Sequence, residues 1–122
     1  MNPAREGARF AWPLFYTMIE LKNVKILGKF GINGMVIYPF ILYSKKDPAL
    51  SVRNHERIHA EQIKNVGVVR FYARYLREYF FHRWQGNNHH EAYLLISFEQ
   101  EAYLHQHDLA YHPSGDKKET LG

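Results

Sequence analysis

Residues 55–62 are HERIHAEQ, running from His55 to Gln62, and they set the frame for the rest of the chain. On a helix, at 100° per residue, positions 55, 59 and 62 fall within about 60° of one another, so His55, His59 and Gln62 share a face. Glu56 sits about 100° round from His55. Two imidazoles one turn apart with a carboxylate beside them form His-Glu-x-x-His, a spacing that lets two neutral ring nitrogens bind one Zn²⁺ at about 2.0–2.1 Å. With eight His and nine Glu among 122 residues, composition alone produces such a match in ~4% of chains this long. The plain alternative is a polar, solvated helix face, because Ile58, Ala60 and Ile63 are the apolar residues of RNHERIHAEQIK. A metal site needs a further ligand and a scaffold that brings it in.

The flanking text supplies a scaffold. From Phe10 to Lys46 short apolar runs rich in Val, Ile, Tyr and Phe alternate with Gly28, Gly31, Asn33 and Gly34, a strand-like pattern. A turn at Asn33-Gly34 feeds an expected strand from about Met35 to Tyr43, where Pro39 removes a ladder donor and so indicates an edge strand or a bulge. Asp47-Pro48, or Ser51, starts the helix that carries HERIHAEQ and ends near Gly67. A second helix, VVRFYARYLREYFFHRW, spans about 68–84 and stops at Gly86. A third begins after Asn88 or at Ser97, where Ser97-Phe98-Glu99-Gln100 has capping-box form, and fades near His112-Pro113. Strands first and about three helices afterwards predict an α+β fold: a small antiparallel sheet from the N-terminal third, with the helices packed on one face.

Length makes residues 1–122 a single domain, with an ordered core over about 10–111 and flexible ends at 1–9 and 113–122. At 46% hydrophobic and 23% charged residues, the composition is that of a globular domain, and a net charge of +4 permits an anionic surface as partner without demanding one. Cysteine is absent, which excludes a disulfide framework and a thiolate zinc site and fits a reducing compartment, here the cytoplasm. The longest apolar stretch, GMVIYPFILY at 34–43, is half a membrane span, so no transmembrane segment is expected. The oligomeric state is open.

A catalytic metal wants three protein ligands. No third His stands at the next metzincin spacing, since position 65 is Asn65. The downstream donors are His82, His89, His90, Glu91, Glu99, Glu101, His105, His107 and Asp108, densest in ISFEQEAYLHQHD. Glu99 and Glu101 are two apart and face different ways on a helix, so at most one of them is a ligand.

HExxH followed by a Glu on a later helix in an E-x-x-A context resembles the gluzincin class of zinc metallopeptidases. NHERIHAEQ, preceded by IYPFILYSKK and followed by ISFEQEAY, is also similar to a group of small single-domain proteins with HExxHxxQ, an aromatic basic helix and FExEAY. The resemblance covers about 34–108 and is specific at its two motifs. It implies a zincin-like fold, Zn²⁺ held by His55, His59 and Glu99, Glu56 as the catalytic base, and peptide-bond hydrolysis on a peptide or protein substrate. Glu101 stays open as the alternative ligand. The chain departs from the family at Tyr103, where gluzincins carry an Asp that orients a ligand His.

Other features complete the expectations. Gln62 lines the site, and Tyr103 and His107 are possible cleft residues; Tyr93 or Tyr103 could stand in for His107 as a substrate- or oxyanion-stabilising group. An edge strand before the HExxH helix can hold a substrate by main-chain pairing, with Tyr38 and Phe40 as its candidate residues. Arg70, Arg74, Arg77 and Arg83 recur on an aromatic helix, which reads chiefly as a solvated face; no nucleic acid is expected. Two alternatives to the enzyme remain: a catalytically degenerate metal-binding or structural module, and a basic-aromatic binder of nucleic acid or a membrane surface.

Overall fold

The computed structural model describes residues 18–114. The expected flexible lead-in at 1–9, the first part of the strand-like run at 10–17 and the tail at 115–122 lie outside the described residues. Strand β1 (Ile19–Leu21) leads into a short helix α1 (Lys25–Lys29), then strands β2 (Gly34–Ile37) and β3 (Phe40–Tyr43). Helices α2 (Leu50–Val66), α3 (Val68–Trp84), α4 (His89–Leu94) and α5 (Ser97–His105) follow. The architecture is α+β, a three-stranded sheet succeeded by the helical region that carries the site.

The sheet order is β1-β3-β2, with β2 antiparallel and β1 parallel to the central β3. A parallel pair needs a crossover, and the segment containing α1 is part of it. Residues 35–43, read from sequence as one strand, form a hairpin instead: Ile37 stands opposite Phe40, and the chain reverses at Tyr38-Pro39 across a cis peptide bond. Proline has no N–H for a ladder, so it occupies the turn and the apolar run divides around it. Among the described residues the two edges of the sheet are therefore β1 and β2.

Helix ends follow local chemistry. Gly67 separates α2 from α3 at φ 102°, a conformation that side chains disfavour, and its N–H caps α2 through the Ile63 carbonyl. Asn88 and Glu91 form a reciprocal capping box that starts α4, both bonds at 2.8 Å. At α5 the expected Ser97–Gln100 box does not form. The Ser97 N–H donates instead to Glu78 on α3 at 2.7 Å, and its hydroxyl donates to the same carboxylate at 3.0 Å. A neighbouring helix thus satisfies an orphan donor of α5.

Helix α2 lies between two apolar clusters. On one side Ala60 meets Ile41 and Tyr43 of the sheet and Met18 just before β1, joined by Val52. On the other, Ile63 meets Phe71, Ile96 and Phe98, with Tyr72, Tyr75 and Tyr79 around them. Val36 borders both clusters, and Phe71 stacks on Phe98 with ring centroids 4.5 Å apart.

Candidate metal centre

Because α2 is sandwiched, its polar residues are inside. Asn54, His55, Glu56, Arg57, His59 and Gln62 are all buried. This excludes the solvated-face alternative. Leaving even one such group unpaired costs about 1–3 kcal/mol, so the fold must provide partners. Arg57, fully buried, bonds Asn54 at 2.9 Å and Glu61 at 2.6 Å and reaches the Tyr111 carbonyl. The Asn54 amide nitrogen lies 2.8 Å from the Gln106 carbonyl, 3.1 Å from that of Asp108 and 3.4 Å from that of His105. These are carbonyls at and beyond the end of α5, which a helix cannot satisfy itself. The non-ligand flank of α2 thereby grips the segment after α5.

The other flank gathers three donors. His55 Nε2 is 3.0 Å from Glu99 Oε1, His59 Nε2 is 3.1 Å from the same oxygen, and the two nitrogens are 3.2 Å apart. His55, His59 and Glu99 are the cluster among the described residues able to hold a metal ion. Together with Glu56 they match the HExxH…E pattern of gluzincins, an arrangement consistent with a metallopeptidase site able to activate water for peptide hydrolysis.

Each donor is oriented from behind. The Gln62 amide nitrogen donates to Glu101 at 2.8 Å and to the Phe98 carbonyl at 3.1 Å, both pure acceptors. Its oxygen must therefore be the atom 2.8 Å from His59 Nδ1, which makes Nδ1 the protonated nitrogen and turns Nε2 toward the centre. His55 Nδ1 is likewise paired with Gln106 Oε1 at 2.9 Å. Tyr75 donates to Glu99 Oε2 at 2.6 Å, leaving Oε1 to face the imidazoles. Glu101 also accepts from the Tyr111 hydroxyl, so its role is to fix Gln62.

Electrostatics follow from this packing. Burial disfavours the His59 cation, but the charge and hydrogen bond of Glu99, backed by Glu56 and Gln62, outweigh it and push the pKa up to about 9. Burial also opposes ionisation of Glu99, yet His59 and the bonds from His55, His59 and Tyr75 hold it well below the usual carboxylate range. At Glu56 burial dominates over the pull of His59 and His55, with Glu99 adding repulsion, and its pKa is raised. Among the described residues no group donates a hydrogen bond to the Glu56 carboxylate.

Strand β2 approaches Glu56 closely. A Cβ at Gly34 would stand 3.0 Å from Glu56 Oε2 and 3.1 Å from its Cγ, so glycine is what lets the strand pass. Further along β2 and into the turn, the Tyr72 phenol donates to the Val36 carbonyl and accepts from the Tyr38 N–H, both at 3.1 Å.

The structure brings together His55, Glu56, His59, Gln62 and Glu99. Tyr103 packs its ring against His55, centroids 4.4 Å apart, while its hydroxyl pairs with Tyr93 at 3.0 Å. The partner of His55 Nδ1 is Gln106, three residues beyond Tyr103. His107 is exposed in the turn after α5, outside the triad. Tyr38 lies in the hairpin turn and Phe40 on central β3, both exposed. Sequence reasoning missed Gln106, Tyr75 and Tyr72; the only signal was their density of Gln and Tyr near the motifs. No family model matches the chain, and no curated protein or solved structure matches it either.

Proposed function

We propose that the protein is a zinc-dependent metallopeptidase in which His55, His59 and Glu99 hold the metal and Glu56 is the catalytic base. The observation that carries this reading is the convergence of three oriented donors beside a buried carboxylate that accepts no hydrogen bond from any described residue. Two imidazole nitrogens and one carboxylate oxygen, without thiolate, suit Zn²⁺, and three protein ligands leave a position open for chemistry. The donor triangle has edges of 3.0, 3.1 and 3.2 Å, against about 3.3–3.4 Å for the edge of a tetrahedron with zinc bonds of 2.0–2.1 Å. The residues present therefore fit the ion. Bound there, Zn²⁺ supplies Lewis acidity that brings water ionisation toward neutral pH and polarises a carbonyl.

The chain's own groups do the rest. Glu56, with its raised pKa, accepts a proton from the attacking water and returns it to the leaving amine. Gln62 and Gln106 keep the imidazoles turned inward, and Tyr75 keeps Glu99 in line. An extended peptide pairs along β2, where Gly34 brings the edge to Glu56. The cysteine-free chain suits the cytoplasm.

Metal content and peptide-library cleavage test this together. The expected results are one zinc per chain, cleavage lost with zinc retained in Glu56→Gln, and both lost in His59→Ala. Stoichiometric zinc with no metal-dependent cleavage would leave a degenerate site. Negligible zinc in both wild type and His59→Ala would remove the metal reading altogether.

A further inference from the structure

Among the described residues, helix α3 leaves an apolar stripe exposed. At 100° per residue, Val69, Ala73, Leu76, Phe80 and Trp84 fall within an arc of about 80°. Trp84 is 83% exposed, Val69 81% and Phe80 61%, with Leu76 and Phe81 also exposed. The core needs none of them, because the opposite face already supplies Phe71, Tyr72, Tyr75 and Tyr79. Arg77 flanks the stripe on one side and Arg83, which also donates to the Tyr79 hydroxyl at 3.0 Å, on the other. The single acid of α3, Glu78, lies on the opposite face, bonded to Arg74 and Ser97. The exposed surface of α3 is therefore apolar and cationic, with no acid of its own.

We propose that this face docks on an anionic lipid surface. A second copy is a poor occupant, since pairing two such faces sets arginines against arginines with no acid of α3 between them. A single convex row offers no groove to a peptide, but it suits insertion into a lipid boundary. Phe80, Phe81 and Trp84 would enter the interfacial zone while the arginine stems lie along the apolar surface and their guanidinium groups reach lipid phosphates. Among the described residues no helix is long and apolar enough to cross a membrane, so the contact is peripheral. Tyr75, which holds Glu99, projects from the other side of α3. Docking thus leaves the triad in place and does not depend on metal.

Co-sedimentation with vesicles tests this, using pure phosphatidylcholine against an equal mixture with phosphatidylglycerol. A Trp12→Phe background makes Trp84 the sole tryptophan. The protein should sediment with the mixed vesicles only, with a blue shift of Trp84 emission, and should do so equally in His59→Ala. Arg77→Gln with Arg83→Gln should weaken binding about thirtyfold, from about 1 kcal/mol per basic residue near an anionic surface. Phe80→Asp, an exposed substitution whose folding is checked by circular dichroism and melting, should abolish it. No binding at low salt, equal binding to neutral vesicles, binding unaffected by Phe80→Asp, or a lipid-free dimer broken by Phe80→Asp would each overturn the proposal.

Discussion

Replacing Gln106 by Ala removes the acceptor 2.9 Å from His55 Nδ1 and leaves the ring free to turn. The backbone there should hold, because the Gln106 carbonyl stays tied to the Asn54 amide at 2.8 Å. Losing an outer partner of a ligand His typically costs 10–100-fold in metal affinity, or about 1.4–2.7 kcal/mol. A second route gives a similar size: His55 is buried, and an unpaired N–H there costs about 1–3 kcal/mol. Gln106→Glu keeps an acceptor and adds charge, so it should bind zinc at least as well as wild type. Tyr103→Phe should change affinity little, because its hydroxyl serves Tyr93. The assay is competition for zinc against a chelator of known affinity at fixed pH, with melting of the metal-free proteins as the folding control. Gln106→Ala within about twofold of wild type, with an unchanged melt, would refute the orienting role.

Asn54→Ala should destabilise the metal-free protein by about 3 kcal/mol, since it strands Arg57 Nε and the carbonyls after α5; a loss under about 1 kcal/mol in denaturant titration would contradict this. Gly34→Ala forces the Glu56 side chain aside by tenths of an ångström, so turnover should fall on the order of tenfold while zinc affinity holds; steady-state kinetics with chelator competition separates the two. In the metal-free protein His59 and Glu99 both contribute fully between about pH 4.5 and 6.5, and because the raised pKa of Glu56 costs stability as pH climbs above about 4.5, the optimum should lie toward the acid end of that window. Above that window the contribution of His59 fades as pH rises through its folded pKa of about 9; below it, that of Glu99 is lost as pH falls toward its depressed folded pKa. Zinc affinity should climb with pH across 6.5 to 9, because His59 must shed its proton to bind. Melting temperature and affinity measured across pH check both signs.

Much of the scaffold was legible because it depends on short-range chemistry. Helical period alone puts His55 and His59 on one face, and Gly67 and Gly86 punctuate α2 and α3 near where the structure ends them. Glu99 was reached only through the E-x-x-A resemblance, since residue spacing left Glu101 equally open. The strand-like run missed α1, whose five residues are too few to display a period, and missed the hairpin because Pro39 fits a bulge as well as a turn.

The sequence by itself determined the chemistry on offer: an HExxH turn, a later acidic helix, no thiols, and strands before helices. Only the tertiary structure decided which groups complete the site. Gln106 reaches His55 across 51 residues, Tyr75 reaches Glu99 across 24, and the Tyr72 phenol reaches the β2 edge across 36. Such pairings leave no local periodicity, because they are set by how α2, α3 and α5 pack. The burial of α2 belongs with them: RNHERIHAEQIK reads as a surface segment, and its buried polar groups other than Glu56 are interior because the helices and the segment after α5 pair them one by one.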